Sequence, residues 1–126
     1  MKYFKCNVCG NLVGLVIDGG GDLVCCGELM EKLVEKTKDE GNEKHLPVVT
    51  QEGSNIIVKV GEESHPMTDA HYICFIVIKY NNKTQKVELS PNDLPSASFE
   101  VSEDFDEMEV YEYCSVHGLW KSEYKK

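Results

Sequence analysis

The sequence predicts a mainly β chain in two modules, a small cysteine-knuckle module followed by an antiparallel β-sandwich. Three observations carry this. Four of the six cysteines fall in two close pairs within residues 1–36, and all four histidines fall after them. Short alternating apolar and polar runs recur along residues 37–126, bounded by turn residues. No segment carries a helical apolar stripe, and no internal repeat is present. The expected domains are 1–36 and 37–126.

In the first module Tyr3–Lys5, Leu12–Ile17 and Leu23–Val24 read as short strands, with Gly19, Gly20 and Gly21 turning between the last two. Glu31 to Asn42 is rich in charge and ends in Gly-Asn, which reads as a linker without a core of its own. The competing reading is a short solvated helix over Leu29 to Lys38. In the second module Asn55–Val60 places Ile56, Val58 and Val60 on one face. Tyr72–Tyr80 is apolar on both faces, as a central strand is. Asn81, Asn82 and Lys83 form a turn, and Thr84–Leu89 returns. Ala97, Phe99 and Val101 alternate with polar neighbours, and Met108–Tyr113 leads to the last cysteine. Short strands at this spacing suggest a sandwich.

Composition narrows the function. The chain has 126 residues and 41% hydrophobic residues, enough for an ordinary core. A net charge of −9 argues against nucleic-acid binding, where a basic face is expected. Met1 to Gly10 contains no apolar stretch ahead of a cleavage site, so no signal peptide is expected. The longest apolar run, Tyr72 to Ile78, is far below the ~20 residues of a membrane span. A soluble, cytoplasmic protein follows, in which cysteines serve as metal ligands sooner than as disulfides.

Cys6 and Cys9, with two residues between them and Gly10 after, form a metal knuckle. Cys25 and Cys26 supply a second pair. A vicinal disulfide is strained. Both can face one ion only if the backbone bends sharply, which distorts the tetrahedron. Segments below ~40 residues usually need a metal, a disulfide or a partner, and a structural metal supplies on the order of 10 kcal/mol. Spacing does not choose between iron and zinc, and a purely structural zinc ribbon is the plainer alternative.

His45, His65, His71 and His117 are the only histidines. Cys114 and His117 are spaced to close on one metal. One thiolate and four imidazoles exceed the four ligands of structural zinc, and an open sixth position is a place for chemistry. Cys74 shares strand parity with Tyr72 and Ile76, while His71 shares it with Ile73 and Phe75. Cys74 is therefore expected to be a buried core thiol.

These motifs together resemble the desulfoferrodoxin family of two-iron superoxide reductases. Cys6-x-x-Cys9 with Cys25-Cys26 is similar to desulforedoxin. Glu43-Lys44-His45, His65-Pro66-Met67 with His71, and Cys114-x-x-His117-Gly118-Leu119-Trp120 are similar to the superoxide reductase domain. The resemblance runs the full length, in order, with every ligand position present. It implies two iron ions per chain. Cys6, Cys9, Cys25 and Cys26 would hold one. His45, His65, His71 and His117 would hold the other in a plane, with Cys114 on the axis. It also implies an immunoglobulin-like sandwich, a homodimer, rubredoxin as electron donor, and one-electron reduction of superoxide to hydrogen peroxide.

Within that resemblance, neutral imidazoles keep iron(II) accessible, and the thiolate pushes electron density from the side opposite the open position. Lys44 would attract the small anion and organise water for proton delivery; otherwise it is a solvated surface lysine. Glu43 would ligate the ferric iron in the sixth position, or be one more surface acid. Leu119 and Trp120 either cover the ligand shell or simply pack the core. The seven acids from Glu100 to Glu112 read as a solvated edge. A copper electron-transfer protein lacks its methionine after His117. Dismutation is disfavoured because a strong thiolate donor lowers the iron potential. A non-catalytic iron electron-transfer or redox-sensing protein remains the alternative, and a purely structural double-metal module the plainest one.

Overall fold

The computed structural model describes residues 2–38, 45–61 and 65–126. Among these residues every regular element is a strand, and no helix is long and apolar enough to cross a membrane. Internal contacts divide the chain into one unit ending at Val34 and a second beginning at Glu35.

In the small unit β1 (Lys2–Lys5) is central. It pairs antiparallel with β2 (Leu12–Leu15) on one side and β5 (Glu31–Lys32) on the other. A separate two-stranded hairpin joins β3 (Val24–Cys25) to β4 (Glu28–Leu29). Two expectations are corrected here. The triple-glycine segment does not close a hairpin, because β2 and β3 lie in different sheets. The charged run is neither wholly a linker nor a helix. Glu31–Lys32 is a strand on β1, and the Leu33 amide donates to the Tyr3 carbonyl at 2.9 Å. Its charged side chains are compatible with this because an edge strand needs only its backbone to pair.

The larger unit is an antiparallel β-sandwich of the immunoglobulin-like class. One sheet has the order β10-β7-β6, from β6 (Pro47–Glu52), β7 (Asn55–Val60) and β10 (Ser96–Glu100). The other runs β12-β11-β8-β9, from β8 (Ile73–Tyr80), β9 (Lys83–Glu88), β11 (Glu107–Cys114) and β12 (Gly118–Lys125). Ile56, Val58 and Val60 from one sheet meet Ile76, Ile78, Met108 and Val110 from the other in a single core. Asn81 and Asn82 take φ of +47° and +60°, as the tightest hairpin turn requires at both positions, and Lys83 already begins β9. β6 and β12 carry few apolar residues and were not expected from periodicity. β6 is buried only at Pro47 and β12 only at Leu119 and Trp120, and each is held in place by its neighbour's register.

β8 is irregular where it meets the site. Tyr113 pairs with Phe75, but Cys114 pairs with Ile73, leaving Cys74 at a bulge. A bulge re-aims side chains and breaks the two-residue alternation. Ile73 joins the core together with Ile76 and Ile78, although simple alternation puts it on their opposite face. Cys74 is accordingly half-buried instead of the buried core thiol expected, with Sγ 3.8 Å from the Tyr72 carbonyl. Desolvation raises its thiol pKa above the ordinary range. The acidic strip is corrected as well: Glu112 is completely buried on β11, so the strip is not a uniformly solvated edge.

Candidate metal centres

In the small unit the Cys6–Cys9 knuckle closes through the Gly10 amide donating to the Cys6 carbonyl at 2.9 Å, with Gly10 at φ +84°. Amides also point at sulfur. Cys9 N lies 3.5 Å from Cys6 Sγ, and Asn11 N lies 3.5 Å from Cys9 Sγ. The second pair sits in the tight turn between β3 and β4. Cys26 adopts φ +53° and Gly27 φ +77°, so a non-glycine residue takes the left-handed conformation that turns two consecutive cysteines toward one point. Cys9 Sγ and Cys25 Sγ are 3.7 Å apart, and Cys25 Sγ and Cys26 Sγ are 3.9 Å apart. A tetrahedral ion with metal–sulfur bonds of about 2.3 Å spaces its sulfurs about 3.8 Å apart, so the cluster fits one. Amide donation, led by Cys9, lowers the Cys6 pKa to about 6. Its sulfur neighbours, led by Cys9, push Cys26 up to about 12.

In the larger unit His45, His65, His71, His117 and Cys114 come together, each offering a donor atom within 4.8 Å of all the others. The four imidazoles form a closed ring. Centroids lie 4.7 Å apart for His45–His65, 4.9 Å for His65–His71, 5.0 Å for His71–His117 and 4.8 Å for His117–His45. Every neighbouring pair is edge-on, between 66° and 88°. Nitrogens about 2.0–2.1 Å from a shared ion would sit about 3 Å apart at adjacent corners; His45 Nε2 and His117 Nδ1 are 3.1 Å apart. Cys114 Sγ lies 3.6 Å from His65 Nε2 and 3.9 Å from His117 Nδ1. Four nitrogens in a ring with one sulfur to the side is a donor set for a five-coordinate metal, and the residues fit it.

Local structure places each group. Cys114, Ser115, Val116 and His117 are the end and loop of the β11–β12 hairpin, closed by Gly118 at φ +88°. The His117 amide donates to Cys114 Sγ at 3.4 Å. Burial raises the Cys114 pKa, and the amides of His117 and Val116 oppose that rise. The hairpin is tied to the start of β8. Ser115 N donates to the Tyr72 carbonyl at 3.0 Å, and Tyr72 N donates to Ser115 Oγ at 3.1 Å. A turn from Thr68 to His71 presents His71, its amide bonded to the Thr68 carbonyl at 3.1 Å. His65 Nδ1 donates to the Pro66 carbonyl at 2.7 Å, which leaves the Nε2 lone pair facing the cluster.

His45 stacks on Trp120 at 4.6 Å and 10°, so the tryptophan both packs the core and covers a ring of the cluster. Cys74 belongs to neither cluster. Glu43 and Lys44 lie outside the described residues. Sequence reasoning missed Lys36, whose Nζ donates to the His117 carbonyl at 2.9 Å and lies 5.1 Å from the Trp120 ring centre. It sits in a charged run with no apolar pattern, so nothing local marks it. It missed Asn11 as well, whose Nδ2 lies 3.7 Å from Cys25 Sγ.

Comparison with known proteins agrees along the whole length. The sequence model of the family described as desulfoferrodoxin matches residues 37–123, and that described as desulfoferrodoxin, N-terminal domain, matches residues 1–33. A desulfoferrodoxin homolog of Archaeoglobus fulgidus is 45% identical over 122 residues, covering 97% of this chain and 96% of that one. A desulfoferrodoxin of Syntrophotalea carbinolica is 44% identical, covering 98% and 96%. Among solved structures, the superoxide reductase of Treponema pallidum superposes with a TM-score of 0.81 at 31% identity, covering 96% of each chain.

Proposed function

We propose that this chain, which belongs to the desulfoferrodoxin family, carries iron at both clusters and reduces superoxide. The reaction takes one superoxide, one electron and two protons to one hydrogen peroxide, and releases no O2. The closed ring of four imidazoles beside one buried thiol supports this reading best.

His45, His65, His71, His117 and Cys114 would together hold the reactive iron. Bound there, iron(II) supplies the electron. Cys114 has to lose its proton to ligate, and the amides of His117 and Val116 stabilise the thiolate that forms. Those same amides draw density from the sulfur and moderate its donation. The Pro66 carbonyl fixes the His65 tautomer, so its Nε2 is ready to donate. His45, His65 and Cys114 are buried while His71 and His117 are half-buried, so the small anion would approach on the side of the latter two.

Lys44 would draw superoxide toward the site by charge and order water for protonation. Glu43 would offer its carboxylate to the iron in its ferric state. Cys6, Cys9, Cys25 and Cys26 would hold the second iron. A rubredoxin-like protein would return the electron, and the chain would work in the cytoplasm as a homodimer.

The test is metal analysis joined to stopped-flow mixing of the reduced protein with superoxide. Two irons per chain and stoichiometric peroxide are expected. A colourless zinc-loaded protein overturns the proposal, and an iron centre that cycles without consuming superoxide leaves an electron carrier or sensor. Lys44→Ala should slow the second-order step several-fold and flatten its salt dependence; an unchanged rate removes Lys44 from the mechanism.

A further inference from the structure

Lys36 is anchored before its side chain makes any contact. Its amide donates to the Leu119 carbonyl at 2.9 Å, and its carbonyl accepts from the Lys121 amide at 2.9 Å. These bonds pin Lys36 beside Trp120 on β12 in a parallel bridge. From there the ammonium reaches two groups. It donates to the His117 carbonyl at 2.9 Å, and it lies over the Trp120 ring at 5.1 Å. That ring stacks on His45 at 4.6 Å. Trp120 Nε1 is buried with no hydrogen-bond partner among the described residues, so the ring is held by its faces. His45 and His117 are neighbouring corners of the imidazole ring, their donor nitrogens 3.1 Å apart. One fixed cation therefore touches the supports of two adjacent ligand candidates.

We propose that Lys36 is a positioning residue that holds the His45–His117 corner and biases the reactive iron toward its ferrous form. The inference rests on the iron reading given above. A permanent positive charge near a metal favours the state with less positive charge, which is the reduced one. Lys36 is solvent-exposed, so salt screens this effect. The tryptophan contact also fits a cation over the face of an indole.

The experiment uses the full chain loaded with iron and reads the midpoint potential of the histidine–cysteine centre by spectroelectrochemistry. Lys36→Met and Lys36→Gln should each lower the ferrous-to-ferric ratio at fixed potential by about three- to tenfold, a downward shift of about 28–59 mV at ~59 mV per tenfold. Lys36→Arg keeps the charge and should keep the parent potential. The shift should shrink in ~1 M salt. In the metal-free chain the emission of Trp120, the single tryptophan, should change in the neutral variants and be restored by arginine. Neutral variants with the parent potential overturn the proposal. So does an arginine variant that shifts as far as methionine, or a shift undiminished by salt. A parent chain that takes up no iron at the histidine–cysteine cluster sinks the functional reading and this inference together.

Discussion

The two donor clusters sit in surroundings of opposite kinds. Among the described residues of the small unit the buried apolar side chains are Tyr3 and Cys6, one of them a candidate ligand, while Val16, Ile17, Val24 and Leu29 are exposed. In the larger unit a core drawn from both sheets surrounds Ile76, Ile78, Met108 and Val110, and Cys114 is itself part of it. The first cluster has a small sheet and little buried apolar surface around it, whereas the second sits on a two-sheet core. On that ground the small unit should depend on its metal to fold, and the sandwich should fold without one.

Breaking each cluster separately tests that contrast most strongly. Cys25→Ser should cost the small unit much of the on the order of 10 kcal/mol that a structural metal supplies. Amide dispersion across residues 2–34 should then collapse while the sandwich amides stay in place. Cys114→Ser should empty the other centre, yet the sandwich should keep its dispersion. A small unit that remains folded without metal would dissolve the comparison.

The same contrast explains what could be read from the chain alone. The ligand candidates were legible because their spacing reports chemistry directly: two cysteines around a turn, a cysteine and histidine in one hairpin loop. Asn55–Val60 was legible because a strand with one buried face alternates. The parity argument for Cys74 failed because a bulge opposite Cys114 is set by pairing between distant strands, which no local window contains. β12 was missed because only Leu119, Trp120 and Tyr124 are apolar along it, and its register comes from β11. Lys36 was invisible for a related reason. Its role depends on which strand its backbone reaches, and a lysine in a charged run is ordinarily just solvated.

A smaller perturbation sharpens the comparison without touching either cluster. Ile78 is fully buried in the sandwich core. Ile78→Ala should remove about 2–5 kcal/mol from the larger unit, measured by urea denaturation. Val16, 91% exposed in the small unit, should tolerate the same truncation within about 0.5 kcal/mol. Equal losses at the two positions would mean that the small unit buries Val16 against something, and that it does not depend on metal alone.

The weakest expected effects come from one surface ion pair in each unit. Lys83 bonds Glu103 in the larger unit, and Lys2 bonds Asp18 in the small one. Each lysine lowers its partner's carboxyl pKa, helped by Asn81 at Glu103 and by the Gly20 amide at Asp18. A carboxyl depressed in the folded state adds stability above its unfolded pKa, about 4, and that stability disappears as pH falls through the folded value. Lys83 is raised by the same contact, so its share is full below its unfolded pKa of about 10.4 and fades as pH rises past the folded one. Glu103→Gln should therefore lower the urea midpoint of the sandwich slightly near neutral pH. The difference from the parent should vanish toward about pH 3 and in ~1 M salt. Asp18→Asn should change the metal-loaded small unit no more than this near neutral pH, because an exposed pair contributes little whatever else holds the fold. A clear loss at Asp18 with none at Glu103 would show that surface contacts, and not the four sulfurs, carry the small unit's fold.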